Sequence, residues 1–254
     1  NMRTPSTILL LTSLVLILGC GKVDDASSSA AVASAPIDRS SRPDPGPAPA
    51  SSFPNYETQE TSEGLTIYVI ESDRQPMITY RLMFRSGGLF DGEKSGLAEF
   101  VADMLDKGVK GKTGYELASE IDFIGASLSA TASSDFIAVS VSGLSKYKEK
   151  LLDVLKSVVL EPAFPGDELE KLRQRTLSNL ISERSEPDAL IGKLRRKLVY
   201  GEGAYGSFQT EESVASITRD DLIAFHKAHF LPNNASLAIV GSFDGSTELA
   251  RVES

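Results

Sequence analysis

The sequence predicts an α+β fold: a mostly antiparallel sheet with helices packed on one side. Three observations carry this. Strand-like runs come in adjacent pairs, helical runs follow them in blocks, and the two do not alternate strictly. Leu65 to Ile70 reads as a first strand, and Ile78, Tyr80, Leu82 and Phe84 alternate with Thr79, Arg81 and Met83 as a second. Asp73-Arg74-Gln75-Pro76 is a turn between them, and Ser86-Gly87-Gly88 ends the pair. A first helix begins near Ser95-Gly96, with Leu97, Phe100, Val101, Met104 and Leu105 at core spacing. Glu99, Asp103 and Asp106 are then expected to share the opposite face, with Gly108 as a left-handed cap.

Thr113-Gly114-Tyr115-Glu116 has the form of a capping box for a second helix, which Gly125 closes. Leu128, Ala130 and Ala132, then Ile137, Val139 and Val141, read as strands joined by Ser133-Ser134-Asp135. A third helix places Tyr147, Leu151, Val154, Leu155 and Val158 toward the core and stops at Pro162 and Pro165. A long fourth helix opens at Asp167-Glu168 with Leu169, Leu172, Leu177, Leu180 and Ile181 expected inside. Pro187 separates it from a fifth carrying Leu190, Ile191, Leu194 and Leu198. Thr218 caps a sixth, and Ala235 to Val240 is a last strand ending at Gly241. No internal repeat is visible.

The N-terminus is of another kind. Met2-Arg3 precedes the apolar run Ile8–Leu18, too short to span a bilayer and suited to the h-region of a secretory signal. Ile17-Leu18-Gly19-Cys20 is similar to a bacterial lipobox, which makes Cys20 the expected lipidation site. Cys20 is the only cysteine, so no disulfide is available and folding rests on a core. The Ser-, Ala- and Pro-rich stretch that follows reads as a tether. The expected organisation is residues 1–20 signal with lipobox, 21–55 tether, 56–245 folded domain, and 246–254 the start of a connection onward. Lipid anchoring in a bacterial cell envelope, at the outer membrane facing the periplasm, follows from Cys20 and Gly21. The formal net charge of −9 argues against nucleic acid, which needs a basic patch.

The chain resembles the N-terminal half of a peptidase of family M16, the pitrilysin/insulinase-like group that includes mitochondrial processing peptidase. Six segments in order carry the resemblance: Arg85-Ser86-Gly87-Gly88 with Asp91, Gly96 to Gly108, Glu120 to Ala126, Glu161 to Phe164, Tyr200-Gly201 with Tyr205-Gly206, and Pro232 to Gly241. That family holds zinc through H-x-x-E-H and a later glutamate, with the glutamate inside the motif as general base. Laid on this sequence, the two histidines fall on Glu99 and Asp103, the base on Ala102, and the third ligand on or near Asn179, with Glu183 one turn further. Zinc favours imidazole and thiolate, and alanine cannot take a proton from water. The resemblance therefore implies a non-catalytic subunit without a cofactor of its own. It would build a peptide-holding chamber for unfolded peptide with a zinc-bearing partner subunit. The alternatives are a stand-alone envelope module, or an active peptidase using Glu99, Asp103 and Glu183 around a metal or a site outside this stretch. The histidines His226 and His229 read as residues near a helix end, and Glu99, Asp103 and Asp106 as a solvated face with Lys107 and Lys110 at hand, or as the lining of a substrate-facing cavity.

Overall fold

A computed structural model of the chain describes Gly46 and residues 54–253. The expected signal, Cys20 and most of the expected tether lie outside the described residues. The architecture belongs to one compact unit within 52–254. Its strands are β1 (Glu57–Glu60), β2 (Thr66–Glu71), β3 (Met77–Phe84), β4 (Gly108–Val109), β5 (Lys112–Thr113), β6 (Ser127–Ala132), β7 (Ile137–Leu144) and β8 (Ala235–Gly241). Its helices are α1 (Leu97–Met104), α2 (Gly114–Phe123), α3 (Lys148–Leu160), α4 (Gly166–Glu183), α5 (Pro187–Tyr200), α6 (Glu211–Ser216), α7 (Arg219–His229) and α8 (Gly245–Glu253).

The main sheet has six strands in the order β1-β2-β8-β3-β7-β6. Every pair is antiparallel except β2–β8, where Thr66 to Glu71 run alongside Ser236 to Gly241. The predicted alternation places Ile67 and Val69, Ile78, Tyr80 and Phe84, Val139 and Val141, and Leu237 and Ile239 on one face. The helices cover that face: α1 contributes Phe100, Val101 and Met104, α3 contributes Leu151 and Leu155, and α7 contributes Leu222 and Phe225, all buried. Burying aliphatic and aromatic side chains on this scale is the main favourable term in folding.

Several expectations are corrected. The first helix ends at Met104, and Gly108 does not cap it. Gly108 instead opens the β4–β5 hairpin, which is pinned to the α3–α4 linker by Lys110 N–H to Glu161 O (2.9 Å) and Ala163 N–H to Gly108 O (3.0 Å). Asp106 therefore lies beyond the helix and pairs with Lys107 at 2.8 Å, off the face that holds Glu99 and Asp103. Ile181 is exposed, because each helical residue turns about 100° and it falls off the stripe of Leu169, Leu172 and Leu180. The fifth helix buries none of its residues. The expected sixth helix is the seventh, since α6 precedes it, and a further helix, α8, covers residues 245–253. Both α2 and α7 begin at the predicted Thr113 and Thr218, each with its capping box closed. Gly125 follows α2 with φ +63, as its cap position requires.

Candidate functional site: a remodelled ligand pocket

The site is built around α1. Asp91 caps the start of this helix: its Oδ2 accepts from Gly96 N–H (2.7 Å) and its Oδ1 from Ala98 N–H (2.8 Å). Gly96 adopts φ +100, which favours glycine, and a Cβ there would lie 2.5 Å from Gln209 Cγ and displace that side chain. Gln209 in turn donates from Nε2 to Glu99 Oε2 at 2.6 Å. The loop before α6 is thereby fastened to the exposed side of α1.

Glu99 and Asp103 stand one turn apart on α1, across a cavity of about 200 Å³ from Arg175, Asn179 and Glu183 of α4. Glu99 also lines a neighbouring cavity of about 450 Å³ with Asp91, Ser133, Lys193 and Arg196. The two faces of the first and fourth helices therefore converge as the resemblance implies. Ala102 is buried and lines neither cavity. Asp106 lies apart from Glu99 and Asp103, in a separate hollow with Leu117, Ile121 and Leu128.

The carboxylates of this pocket are partly offset by cations from within: Asp91, Glu99, Asp103 and Glu183 face Arg175, Lys193 and Arg196. Glu183 Oε2 accepts from Lys193 Nζ at 2.6 Å. Burial raises the Asp103 carboxyl above its usual range, opposed by the positive charges of Arg175 and Lys107. Burial also raises Glu99, helped by the negative charges of Asp91 and Asp103 and opposed by Arg196 and the Gln209 hydrogen bond. Asp91 is raised by burial against the lowering effect of its backbone hydrogen bonds. A raised carboxyl favours its protonated form in the folded state, so the folded state is most favoured below the ordinary carboxylate range and loses that advantage as pH rises. Replacing Glu99→Gln is expected to raise the midpoint of urea unfolding at neutral pH, with the gain vanishing below about pH 4, where the unfolded carboxyl is itself protonated. A midpoint unchanged or lowered at pH 7 would contradict this account.

A zinc ion does not suit this donor set. Glu99, Ala102, Asp103 and Asn179 offer no imidazole or thiolate, and Lys193, Arg175 and Arg196 already supply positive charge. Among the described residues, no group of three or more His, Cys, Asp or Glu is arranged to hold a metal. Glu183, of the alternative set Glu99, Asp103 and Glu183, is engaged by Lys193.

The histidines belong to an aromatic cluster. His226 Nε2 contacts Val159 O at 2.7 Å and packs against Phe164 and Phe230. His229 packs against Phe90 and Phe225. Burial lowers the pKa of both. Both are half-buried near the end of α7. Three residues of the pocket carried no signal in the sequence: Arg175, Lys193 and Gln209. A charged residue on a helix face reads as solvated until the fold brings the opposing carboxylate across from it.

Fold and pocket together define an α+β domain of zinc-peptidase type. The chain belongs to peptidase family M16: the family model described as Insulinase (Peptidase family M16) matches residues 67–207, and that described as Peptidase M16 inactive domain matches residues 216–253. A Rickettsia bellii protein named an uncharacterized zinc protease is 24% identical over 193 residues, covering 75% of this chain and 47% of that protein. A Helicobacter pylori protein named non-peptidase homolog YmxG is 28% identical over 155 residues, covering 60% and 36%. The chain thus spans less than half the length of these curated relatives. The crystal structure of a peptidase M16 inactive domain from Pseudomonas fluorescens superposes with a TM-score of 0.75 at 29% identity, over 78% of this chain and 49% of that one.

Proposed function

We propose that this chain is a non-catalytic M16 half that forms part of the wall of a peptide-holding chamber and works with a zinc-bearing M16 partner. One observation carries the reading: the ligand pocket is retained as a cavity, while lysine and arginine side chains take up the charge that a metal would supply. Ala102 itself has no group to take a proton from an attacking water, the role the resemblance gives to the glutamate at that position.

A second feature suits a peptide. Strand β6 is at the sheet edge, and its end at Ala132 adjoins the larger cavity together with Ser133 and Ser134. An unpaired edge presents backbone donors and acceptors to which an extended peptide can add as a further strand. Anchoring at Cys20 in the bacterial envelope, at the outer membrane facing the periplasm, is part of the same proposal and rests on the sequence alone.

Zinc content per chain, measured by elemental mass spectrometry after metal-free dialysis, is the first test. Substoichiometric zinc is expected. Stoichiometric zinc, abolished by Glu99→Ala, would return the active-peptidase reading. The partner reading is tested by adding the purified chain to a motif-bearing M16 subunit from the same cell: peptide cleavage by that subunit is expected to rise. Failure to bind it or to alter its cleavage rate would favour a stand-alone envelope module.

A further inference from the structure

Two cavities meet beneath α5. The one of about 450 Å³ beside α1 and a second of about 540 Å³ share Glu183, Lys193, Arg196 and Phe208 in their lining. The second has the size of an ordinary ligand site, roughly 300–1,000 Å³. Its charge differs from that of the first. Beside α1 the first cavity carries the carboxylates of Asp91 and Glu99. The second is lined by three cations, Lys193, Arg195 and Arg196, and by one acid, Glu183.

That acid is already taken. Lys193 donates to Glu183 at 2.6 Å, and its ammonium lies 5.5 Å from the centre of the Phe208 ring. Arg195 and Arg196 make no ion pair with a carboxylate among the described residues. Arg196 donates to the Ser207 carbonyl at 3.3 Å, which ties it to the lining of the first cavity. Asp188 stands about two turns before Arg195 on the same helix, yet it neither pairs with it nor lines the cavity. In a chain of net charge −9, a hollow whose cations outnumber its acids draws anions to itself. Guanidinium groups suit carboxylates, which they hold through paired N–H donors. Val199, Tyr200 and Phe208 give the same cavity an apolar wall. A carboxylate carried beside an aliphatic or aromatic group fits both parts.

We infer that the cavity beneath α5 is a carboxylate-binding subsite for peptide, taking a C-terminal carboxylate or an acidic side chain next to an apolar residue. The inference rests on the chamber reading above and names the peptide chemistry that the chamber would select. The first cavity connects the two places: it reaches Ala132, Ser133 and Ser134 at the end of the open sheet edge on one side and Arg196 on the other. A peptide held at that edge has its neighbouring residues within reach of the arginines.

The test is isothermal titration calorimetry of the full chain with an N-acetylated peptide rich in alanine and leucine. The peptide carries glutamate or glutamine near its C-terminus, and each version ends in a free carboxylate or an amide. Removing the carboxylate that occupies the subsite is expected to raise the Kd about tenfold, the effect of losing one hydrogen bond to a charged group. The change that does so, glutamine or amide, tells which carboxylate is held. Arg195→Gln combined with Arg196→Gln is expected to raise the Kd of the doubly charged peptide by about as much and to leave that of the neutral one unchanged. Added salt should weaken the first peptide and not the second. Both arginines are exposed, and matched thermal melts check that the variant folds. Equal affinity for all the peptides overturns the inference, as does an equal loss for the neutral peptide in the arginine variant, or no binding of any form. The chamber reading has its own readout in the cleavage rate of the partner subunit. A changed cleavage rate without any carboxylate preference would keep the chamber and remove this subsite.

Discussion

Glu248→Ala is expected to cost about 3–5 kcal/mol of folding stability, the range for removing one partner from a buried charged pair. Glu248 of α8 is fully buried. Its Oε1 accepts from the Tyr80 hydroxyl at 2.6 Å, and its Oε2 accepts from Arg251 at 3.0 Å with Lys148 Nζ 3.6 Å away. The carboxylate thus joins α8 to the centre of β3 and to the first turn of α3. Truncation would remove the buried acceptor that Tyr80, Arg251 and Lys148 share, leaving Tyr80 a longer contact to Lys148 O at 3.4 Å and Arg251 its pair with Glu149 at 3.1 Å. Glu248→Gln, which keeps an acceptor for Tyr80, should cost less, and Tyr80→Phe about 1–3 kcal/mol. Urea denaturation of the three variants and the double variant gives the coupling directly. A cost for Glu248→Ala below that of Tyr80→Phe would show that the network is not organised around the carboxylate.

The same contact has an alkaline signature. Burial, followed by the hydrogen bond and negative charge of Glu248, raises the pKa of Tyr80 well above the ordinary tyrosine value. A raised folded pKa contributes stability that is fully present below the unfolded value of about 10 and is lost as pH climbs beyond it, because only the unfolded chain then ionises. Tyr80→Phe should flatten that part of the pH profile.

Gly241→Ala is the second large effect, expected at about 4 kcal/mol. Gly241 ends β8 between β2 and β3, with φ +142. A Cβ there would lie 2.0 Å from Met77 O and 2.8 Å from Ile78 Cα. Both obstacles are backbone atoms of the sheet, held by hydrogen bonds such as Ser242 N–H to Met77 O at 2.9 Å. Strain from the left-handed region and overpacking each contribute roughly 1–3 kcal/mol. Gly92→Ala is the comparison: its φ is +60 but nothing lies within 4 Å of the new Cβ. It should cost only about 1 kcal/mol, the conformational part alone. Equal costs for the two would mean that the close approach of Met77 is relieved by a small shift of the strand end.

The long elements were legible because their signals are local. Alternation in β3 and β7 and the Thr113 and Thr218 boxes each lie within one segment. The elements that were missed are short or depend on neighbours. Strand β1, Glu57–Glu60, is polar and becomes a strand because β2 offers it an open edge. Helix α6 begins with a box of Thr210 and Ser213 in place of the usual Glu or Gln. The parallel pairing of β2 with β8 joins segments some 170 residues apart and leaves no local mark.

The amino-acid sequence by itself determined the class of fold, and it sets Glu, Ala, Asp and Asn at 99, 102, 103 and 179, where the resemblance to the family implies ligands and base. Side-chain chemistry is a property of each residue and needs no neighbours to be known. Only the tertiary structure decided what those residues amount to. It set Lys193 against Glu183, Gln209 against Glu99, and Arg175 near Asp103. It also separated Asp106 from the pocket and turned the leucines of α5 to solvent. Helical periodicity says which residues share a face, but the face a helix buries depends on where the rest of the chain packs.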